Sequence, residues 1–190
     1  MDQTTGISNE RNITFLAGSI VALLAFFWFF VPARYVLFAN SDVTLFLTTP
    51  DYLRSFLKRP GGLLEYTGSF FAQFLRFRLF GAFLLASFAA LSFCLTVQLL
   101  KRQLKNVELL TAGLVTAALV VAMHNYYPHR IHHTLGLLLS IFLACMAPSR
   151  GRGMRIYLAL SVPIFYLACG GFVWFFLFTW LIRMLSLIHI

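Results

Sequence analysis

Long apolar runs separated by short polar segments dominate the pattern of this chain. The runs cover about residues 13–37, 79–100, 107–123, 134–147 and 156–182, and the last is interrupted by Pro163 and Gly170–Gly171. A helix needs roughly 20 consecutive apolar residues to cross the hydrocarbon core of a bilayer, which is about 30 Å thick. The pattern therefore predicts an all-α, polytopic membrane helix bundle with about five transmembrane helices.

The composition supports a membrane protein and argues against a soluble domain. The chain is 60% apolar and 11% charged, and it contains 22 phenylalanines, whereas soluble domains are nearer half apolar and a quarter charged. The net charge of +9 does not indicate nucleic-acid binding, because the basic residues form short clusters between apolar runs. The three cysteines lie inside these runs and are expected to be small buried side chains.

The short loops between the runs predict the orientation. Cytoplasmic loops of membrane proteins carry an excess of lysine and arginine, and the two basic loops here contain Lys101, Arg102, Lys105, Arg150, Arg152 and Arg155. We therefore expect these loops and the tail of residues 1–12 in the cytoplasm, with residues 38–78 and 124–133 outside. In a bacterium this would be a multi-pass protein of the inner membrane.

The predicted outer loop, residues 38–78, contains signals for two amphipathic helices. Thr49-Pro50-Asp51 is a favourable helix start, with proline at the first helical position. A second helix is predicted from about Leu63, and its polar residues share one face because they recur every three or four positions: Glu65, Ser69, Gln73 and Arg76. This stripe is either the solvated face of an interfacial helix or the wall of a polar cavity.

Carboxylates are scarce, so the candidates for a catalytic base are few. The chain has six acidic residues, of which two are in the N-terminal tail. Glu108 is expected to support the start of the third run, and Asp51 belongs to the first turn of a helix. Asp42 and Glu65 are therefore the predicted catalytic carboxylates.

A histidine-rich turn between the third and fourth runs is the second candidate. It contains His124, His129, Arg130, His132 and His133. Pro128 could begin a helix in which His129, His132 and His133 share one face. Three interpretations stay open: interfacial histidines within an aromatic belt, a site for an anion or lipid phosphate, and a metal site. No metal or other cofactor is assigned.

The segment from Arg59 to Phe74, RPGGLLEYTGSFFAQF, resembles a family of uncharacterised multi-spanning bacterial membrane proteins of unknown function. The resemblance extends more loosely to His132-His133-Thr134-Leu135-Gly136. Members of that family look longer, which implies that this chain is an N-terminal fragment. The plan of the chain is also similar to that of membrane glycosyltransferases with polyprenyl-phosphate donors, which implies a catalytic carboxylate where Asp42 stands.

The last six residues, Leu185-Ser-Leu-Ile-His-Ile190, resemble the translation of a transposon end used in preparing sequencing libraries. We therefore expect residues 13–184 to form the membrane domain and residues 185–190 to be an artefactual tail. His189 is accordingly not considered a ligand.

Two classes of function follow from these patterns. The first is a lipid-phosphate-dependent, glycosyltransferase-like enzyme of envelope glycan assembly. In that class Asp42 or Glu65 provides the carboxylate, and Arg76 with the histidine turn holds the lipid phosphate. The second is a non-enzymatic transporter or assembly subunit. The expected partners are membrane lipids, including a polyprenyl-phosphate lipid, and not nucleic acid. Asp42 and the histidine turn are expected to face one outer cavity.

Overall fold

The protein is all-α in the computed structural model, which describes residues 3–41, 46–101, 103–126, 129–148 and 152–188. These ranges contain nine α-helices and one short 3₁₀ helix. The α-helices are α1 (Gln3–Phe30), α2 (Arg34–Ser41), α3 (Pro50–Leu57), α4 (Gly62–Ala72), α5 (Arg78–Leu100), α6 (Asn106–Asn125), α7 (Ile131–Met146), α8 (Arg152–Cys169) and α9 (Phe172–Ile188). The 3₁₀ helix, Gln73–Arg76, follows α4 directly.

Among the described residues, three helices are long and apolar enough to cross a membrane: Asn12–Phe30 within α1, Arg78–Leu100 and Asn106–Asn125. Two shorter apolar helices, Ile131–Met146 and Phe172–Met184, accompany them. The predicted class of helical membrane protein is therefore confirmed, and the part of the chain that the structure describes has three full-length candidate spans where the apolar runs predicted about five.

The first apolar run is not one helix, contrary to the prediction of a span over residues 13–37. Helix α1 ends at Phe30 and α2 begins at Arg34, because the ring of Pro32 cannot be accommodated in a continuing helix. Arg78 Nε donates a hydrogen bond of 2.7 Å to the Phe30 carbonyl at the end of α1. This contact joins the end of α1 to the start of α5.

The predicted fifth span, residues 156–182, is two helices, with the break at the predicted interruption of Gly170–Gly171, whereas α8 continues through Pro163. Gly170, with a φ of +60°, ends α8, and α9 begins two residues later. Tyr157, near the start of α8, donates a hydrogen bond to the Leu143 carbonyl. Arg183, near the end of α9, donates to carbonyls at the end of α7. Since both contacts lie at the same end of α7, α8 and α9 form an antiparallel hairpin.

The two predicted helices of the loop between α2 and α5 are present. Helix α3 begins at Pro50, as predicted, and none of its residues is buried. The second is shorter than expected, since α4 ends at Ala72 and the chain tightens into the 3₁₀ helix that contains Arg76. Aromatic rings of α3 and of the segment before it pack against α4. The ring centroids of Phe46 and Tyr66 are 4.9 Å apart, and those of Tyr52 and Tyr66 are 6.1 Å apart.

The bundle has two chemically different ends. At the end that we call the basic end, Gln103 donates to the Ile182 carbonyl over 3.4 Å, and five cations lie in or beside the helix termini: Lys101, Lys105, Arg152, Arg155 and Arg183. At the opposite end, which we call the histidine end, Trp28 Nε1 donates to Asn125 Oδ1 over 3.2 Å. Helix α4 and the start of α7 belong to this end.

Candidate functional site

A cleft of about 560 Å³ opens at the histidine end, between three segments that are far apart in the sequence. The first is the turn before α4, the second is the first turn of α7, and the third is the tip of the α8–α9 hairpin. We call it the cleft, and its lining is Pro60, Gly61, Leu64, Glu65, His132, His133, Cys169, Gly170, Gly171, Phe172, Trp174 and Phe175.

Two glycine turns in contact form one side of the cleft. Gly61 has a φ of +82° and Gly170 a φ of +60°, a left-handed conformation that glycine adopts without steric cost. The Gly61 N–H donates to the Leu167 carbonyl over 3.0 Å. A Cβ on Gly61 would lie 3.3 Å from the Gly170 backbone. Glycine at both positions therefore lets the two turns touch backbone to backbone.

A third glycine places α4 against α7. A Cβ on Gly68 would lie 2.5 Å from the Cβ of His132 and 2.9 Å from its Cα and backbone nitrogen. Helix α4 can cross the start of α7 this closely because residue 68 has no side chain. The crossing brings Glu65, one turn earlier on α4, to the same cleft as His132 and His133.

The charged groups in or beside the cleft are the Arg59–Glu65 ion pair and Arg130. Arg59 Nη2 pairs with Glu65 Oε2. Burial and the nearby His133 and Arg130 lower the pKa of His132 to about 4. Burial and Arg130 also lower the pKa of His133. At neutral pH the imidazoles are therefore uncharged, and arginines carry the positive charge near the cleft.

His124 lies deeper, inside the bundle, with 1% of its surface exposed. Its ring packs against Phe29 of α1 and Phe88 of α5, with centroid distances of 6.5 and 6.2 Å. Thr134 Oγ1 is 3.0 Å from His124 Nε2 and 2.9 Å from His129 Nε2. The hydroxyl of Thr134 thus bridges a buried and a half-buried imidazole.

The histidine turn differs from the predicted helix in one respect. Helix α7 begins at Ile131, so His129 precedes it and is not on a helical face with His132 and His133. The imidazoles nevertheless form a series, with centroid distances of 4.9 Å from His124 to His129, 5.5 Å from His129 to His133 and 4.2 Å from His133 to His132. Pro128 lies outside the described residues.

Arg76 and Asp42 are the remaining predicted site residues. Arg76 is exposed in the 3₁₀ helix and is not part of the lining. Asp42 falls outside the described residues. Within the described ranges, no three His, Cys, Asp or Glu side chains are grouped so that they could hold a metal ion.

Sequence reasoning missed Arg59, Thr134 and Trp174. Arg59 had a signal, because it precedes the Pro-Gly-Gly turn that reverses the chain towards Glu65. Thr134 also had one, since a hydroxyl directly after two histidines is a potential hydrogen-bond partner. Trp174 is one of many aromatic residues in an apolar run, and no local pattern distinguishes it.

Three helices begin at the cleft, and this determines which ligands suit it. Helix α4 begins at Gly62, α7 at Ile131 and α9 at Phe172, and residues of the first turn of each line the cleft. The start of a helix carries partial positive charge and unpaired N–H groups, so it favours anions. With the arginine charges and the rings of Phe172, Trp174 and Phe175, the lining suits an anion attached to an apolar group.

The helices and the cleft define an integral membrane protein of the helical class. The chain matches DUF6057, a family of unknown function, over residues 10–189, and it belongs to that family. The match continues into the terminal segment that sequence analysis set apart as an artefact, and that interpretation stays a prediction. No curated protein and no solved structure matches the chain.

Proposed function

We propose that this protein binds the phosphate of a membrane lipid in the cleft, as a lipid-phosphate-dependent enzyme of envelope glycan assembly would do. The observation that carries the proposal is the convergence of three helix starts on one cleft that also contains the rings of Phe172, Trp174 and Phe175. The phosphate would meet the helix starts, and the lipid chain would lie along Trp174 and Phe175.

The charge balance of the cleft supports an anionic ligand. Glu65 is paired with Arg59, so this carboxylate leaves little net negative charge to repel a phosphate. Arg130 lowers the pKa of His132 and His133, which means that its field reaches the cleft. Arginine retains its charge at any accessible pH and can bind phosphate through two parallel hydrogen bonds.

A binding experiment tests this proposal. The purified protein in lipid nanodiscs is titrated with polyprenyl phosphate and, separately, with the uncharged polyprenol, with native mass spectrometry as the readout. We expect the phosphate lipid to bind and Arg130→Gln to weaken it about tenfold or more, since a hydrogen bond to a charged group is worth about 1.5–3 kcal/mol. Arg155→Gln, at the basic end, is the matched control and should leave the affinity unchanged.

Two results would contradict lipid-phosphate binding. One is equal affinity for polyprenol and polyprenyl phosphate, which would show that the cleft recognises only the apolar chain. The other is an equal effect of Arg130→Gln and Arg155→Gln, which would show that the charge acts through the whole protein and not at the cleft.

In the enzymatic form of this proposal, Glu65 or Asp42 supplies the carboxylate that assists glycosyl transfer. Glu65 is supported by its place in the cleft beside two imidazoles. The test is transfer from a sugar-linked polyprenyl phosphate by Glu65→Gln and by Asp42→Asn. The catalytic residue should lose transfer while the variant still binds the lipid phosphate, and unchanged transfer in both variants would exclude this chemistry for these carboxylates.

A second candidate function is transport of the lipid between leaflets. It is favoured by the interruption at Gly170–Gly171, because many transporters place the start of a broken helix at the binding site of an anionic substrate. In proteoliposomes, movement of a labelled phosphate lipid across the bilayer without glycosyl transfer would favour this function over the enzyme.

A further inference from the structure

The hydroxyl of Thr134 constrains where protons can be on its two histidine neighbours. A hydroxyl has one proton to donate, and it accepts hydrogen bonds through its lone pairs. The hydroxyl lies within 3.0 Å of both Nε2 atoms. Both hydrogen bonds form together only when Thr134 donates to one imidazole and accepts from the other. One Nε2 therefore carries a proton and the other does not, so the tautomers of His124 and His129 are linked.

The two imidazoles that Thr134 bridges differ in how deeply they are buried. His124 is enclosed by Phe29 and Phe88, while His129 is half-buried and next to His133, which lines the cleft. The exposure of the imidazoles thus increases from the interior to the cleft. The titratable and charged groups that act on the outer imidazoles are Arg59, Glu65, Arg130, His132 and His133.

We propose that His129, Thr134 and His124 form a proton relay between the cleft and the interior of the helix bundle. In the forward step, His129 takes a proton at Nδ1 from the cleft group His133 when that imidazole is in its minor, protonated form. Its Nε2 proton passes to Thr134 Oγ1, and the Thr134 hydroxyl proton passes to His124 Nε2. His129 ends neutral, the cleft group has lost one proton, and His124 has gained one.

The resting state and the charged state of the relay have different costs. Burying an unpaired charge among apolar groups is unfavourable, so a protonated His124 is short-lived and returns its proton by the reverse steps. If the Thr134 hydroxyl only held α6 to α7, side chains that do not titrate could stand in place of His124 and His129. Ionisable side chains inside a membrane bundle commonly belong to proton pathways or binding sites.

Imidazole NMR of the full chain in nanodiscs tests the relay without any lipid-phosphate ligand. The protein is labelled with ¹⁵N-histidine, and each signal is assigned from a single His→Asn variant. In the wild type we expect the Nε2-protonated tautomer at His129, the Nδ1-protonated tautomer at His124, and exchange of His124 Nε2 between its unprotonated form and a short-lived protonated form. Thr134→Ser should keep both properties, and Thr134→Val should lose the exchange.

Thr179→Val is the matched control, because Thr179 is buried and donates only to backbone carbonyls of its own helix among its described contacts. It should leave the His124 signals unchanged. The same tautomer at His124 and His129 in the wild type would overturn the relay even if Thr134→Val does not fold. Unaltered exchange in a folded Thr134→Val would overturn it as well. Neither result bears on lipid-phosphate binding, so the two proposals fail separately.

Discussion

Replacing Gly68 with alanine should separate α4 from α7 and open the cleft. The added Cβ would lie 2.5 Å from the His132 Cβ, whereas ordinary contacts begin at 3.4 Å. It would also lie 2.9 Å from two backbone atoms of His132, which cannot rotate away. The helices must therefore move apart by nearly 1 Å, a distance comparable with the tolerance of a preorganised binding site, about 0.5 Å.

The size of the effect follows from two opposing terms. Overpacking costs about 1–3 kcal/mol, while replacing glycine by alanine inside a helix contributes about 1 kcal/mol of stability. Gly153→Ala is the control, since a Cβ there meets nothing within 4 Å. We expect Gly68→Ala to be about 1–3 kcal/mol less stable than Gly153→Ala.

Thermal and denaturant unfolding in nanodiscs measures this difference, and the lipid titration described above measures the cleft. Gly68→Ala should lose affinity for polyprenyl phosphate, whereas Gly153→Ala should keep it. If Gly68→Ala is as stable as Gly153→Ala and binds the lipid equally well, then α4 does not cross α7 at this contact.

Three further predictions concern other contacts. Arg183→Met should destabilise the protein by about 1.5–3 kcal/mol, because its guanidinium accounts for hydrogen bonds to the last carbonyls of α7; Arg155→Met is the control, and equal unfolding midpoints would contradict this. Burial and His133 lower the pKa of His129 from 6.5 to about 4, so its contribution to stability is complete above pH 6.5 and is lost as the pH falls towards 4. His129→Asn should therefore unfold with a weaker pH dependence over that range, and an unchanged dependence would contradict it. The orientation is tested with the three native cysteines replaced by alanine. A cysteine at Tyr126 should react with an impermeant reagent in intact cells, and a cysteine at Gln103 should react only after permeabilisation. The reverse pattern would invert the orientation.

The parts of the fold that the sequence predicts are those with local signals. The start of α3 was predicted from Thr49-Pro50-Asp51 and is confirmed at Pro50. The support of α6 by Glu108 is also observed, since its carboxylate accepts a hydrogen bond from the Lys105 N–H over 3.3 Å. Both features depend on residues within a few positions of each other, so an isolated segment contains the information.

The α8–α9 hairpin could not be recognised in the same way. Gly170 and Gly171 lie inside an apolar run, and in a membrane protein a turn need not be marked by polar residues when it is covered by other segments. The turn is covered here by Gly61, which is more than 100 positions earlier in the chain. The Pro-Gly-Gly turn does indicate the pairing of Arg59 with Glu65, and the hydroxyl after two histidines indicates a hydrogen bond at Thr134. Which imidazoles Thr134 bridges depends on tertiary structure. The tautomers of the histidines follow from that bridge and not from their spacing.

The segments that form the cleft are far apart along the chain, so they are synthesised at different times. The turn before α4 enters the membrane region before the hairpin tip is synthesised. Until the tip is present, Gly61 lacks its contact with Gly170, and the cleft is incomplete. A ligand that binds only the completed cleft would therefore stabilise fully inserted chains and not partly inserted ones. Ligand occupancy would then distinguish molecules in which α8 and α9 have packed against α4 and α7 from those in which they have not, and quality control in the membrane could act on that difference.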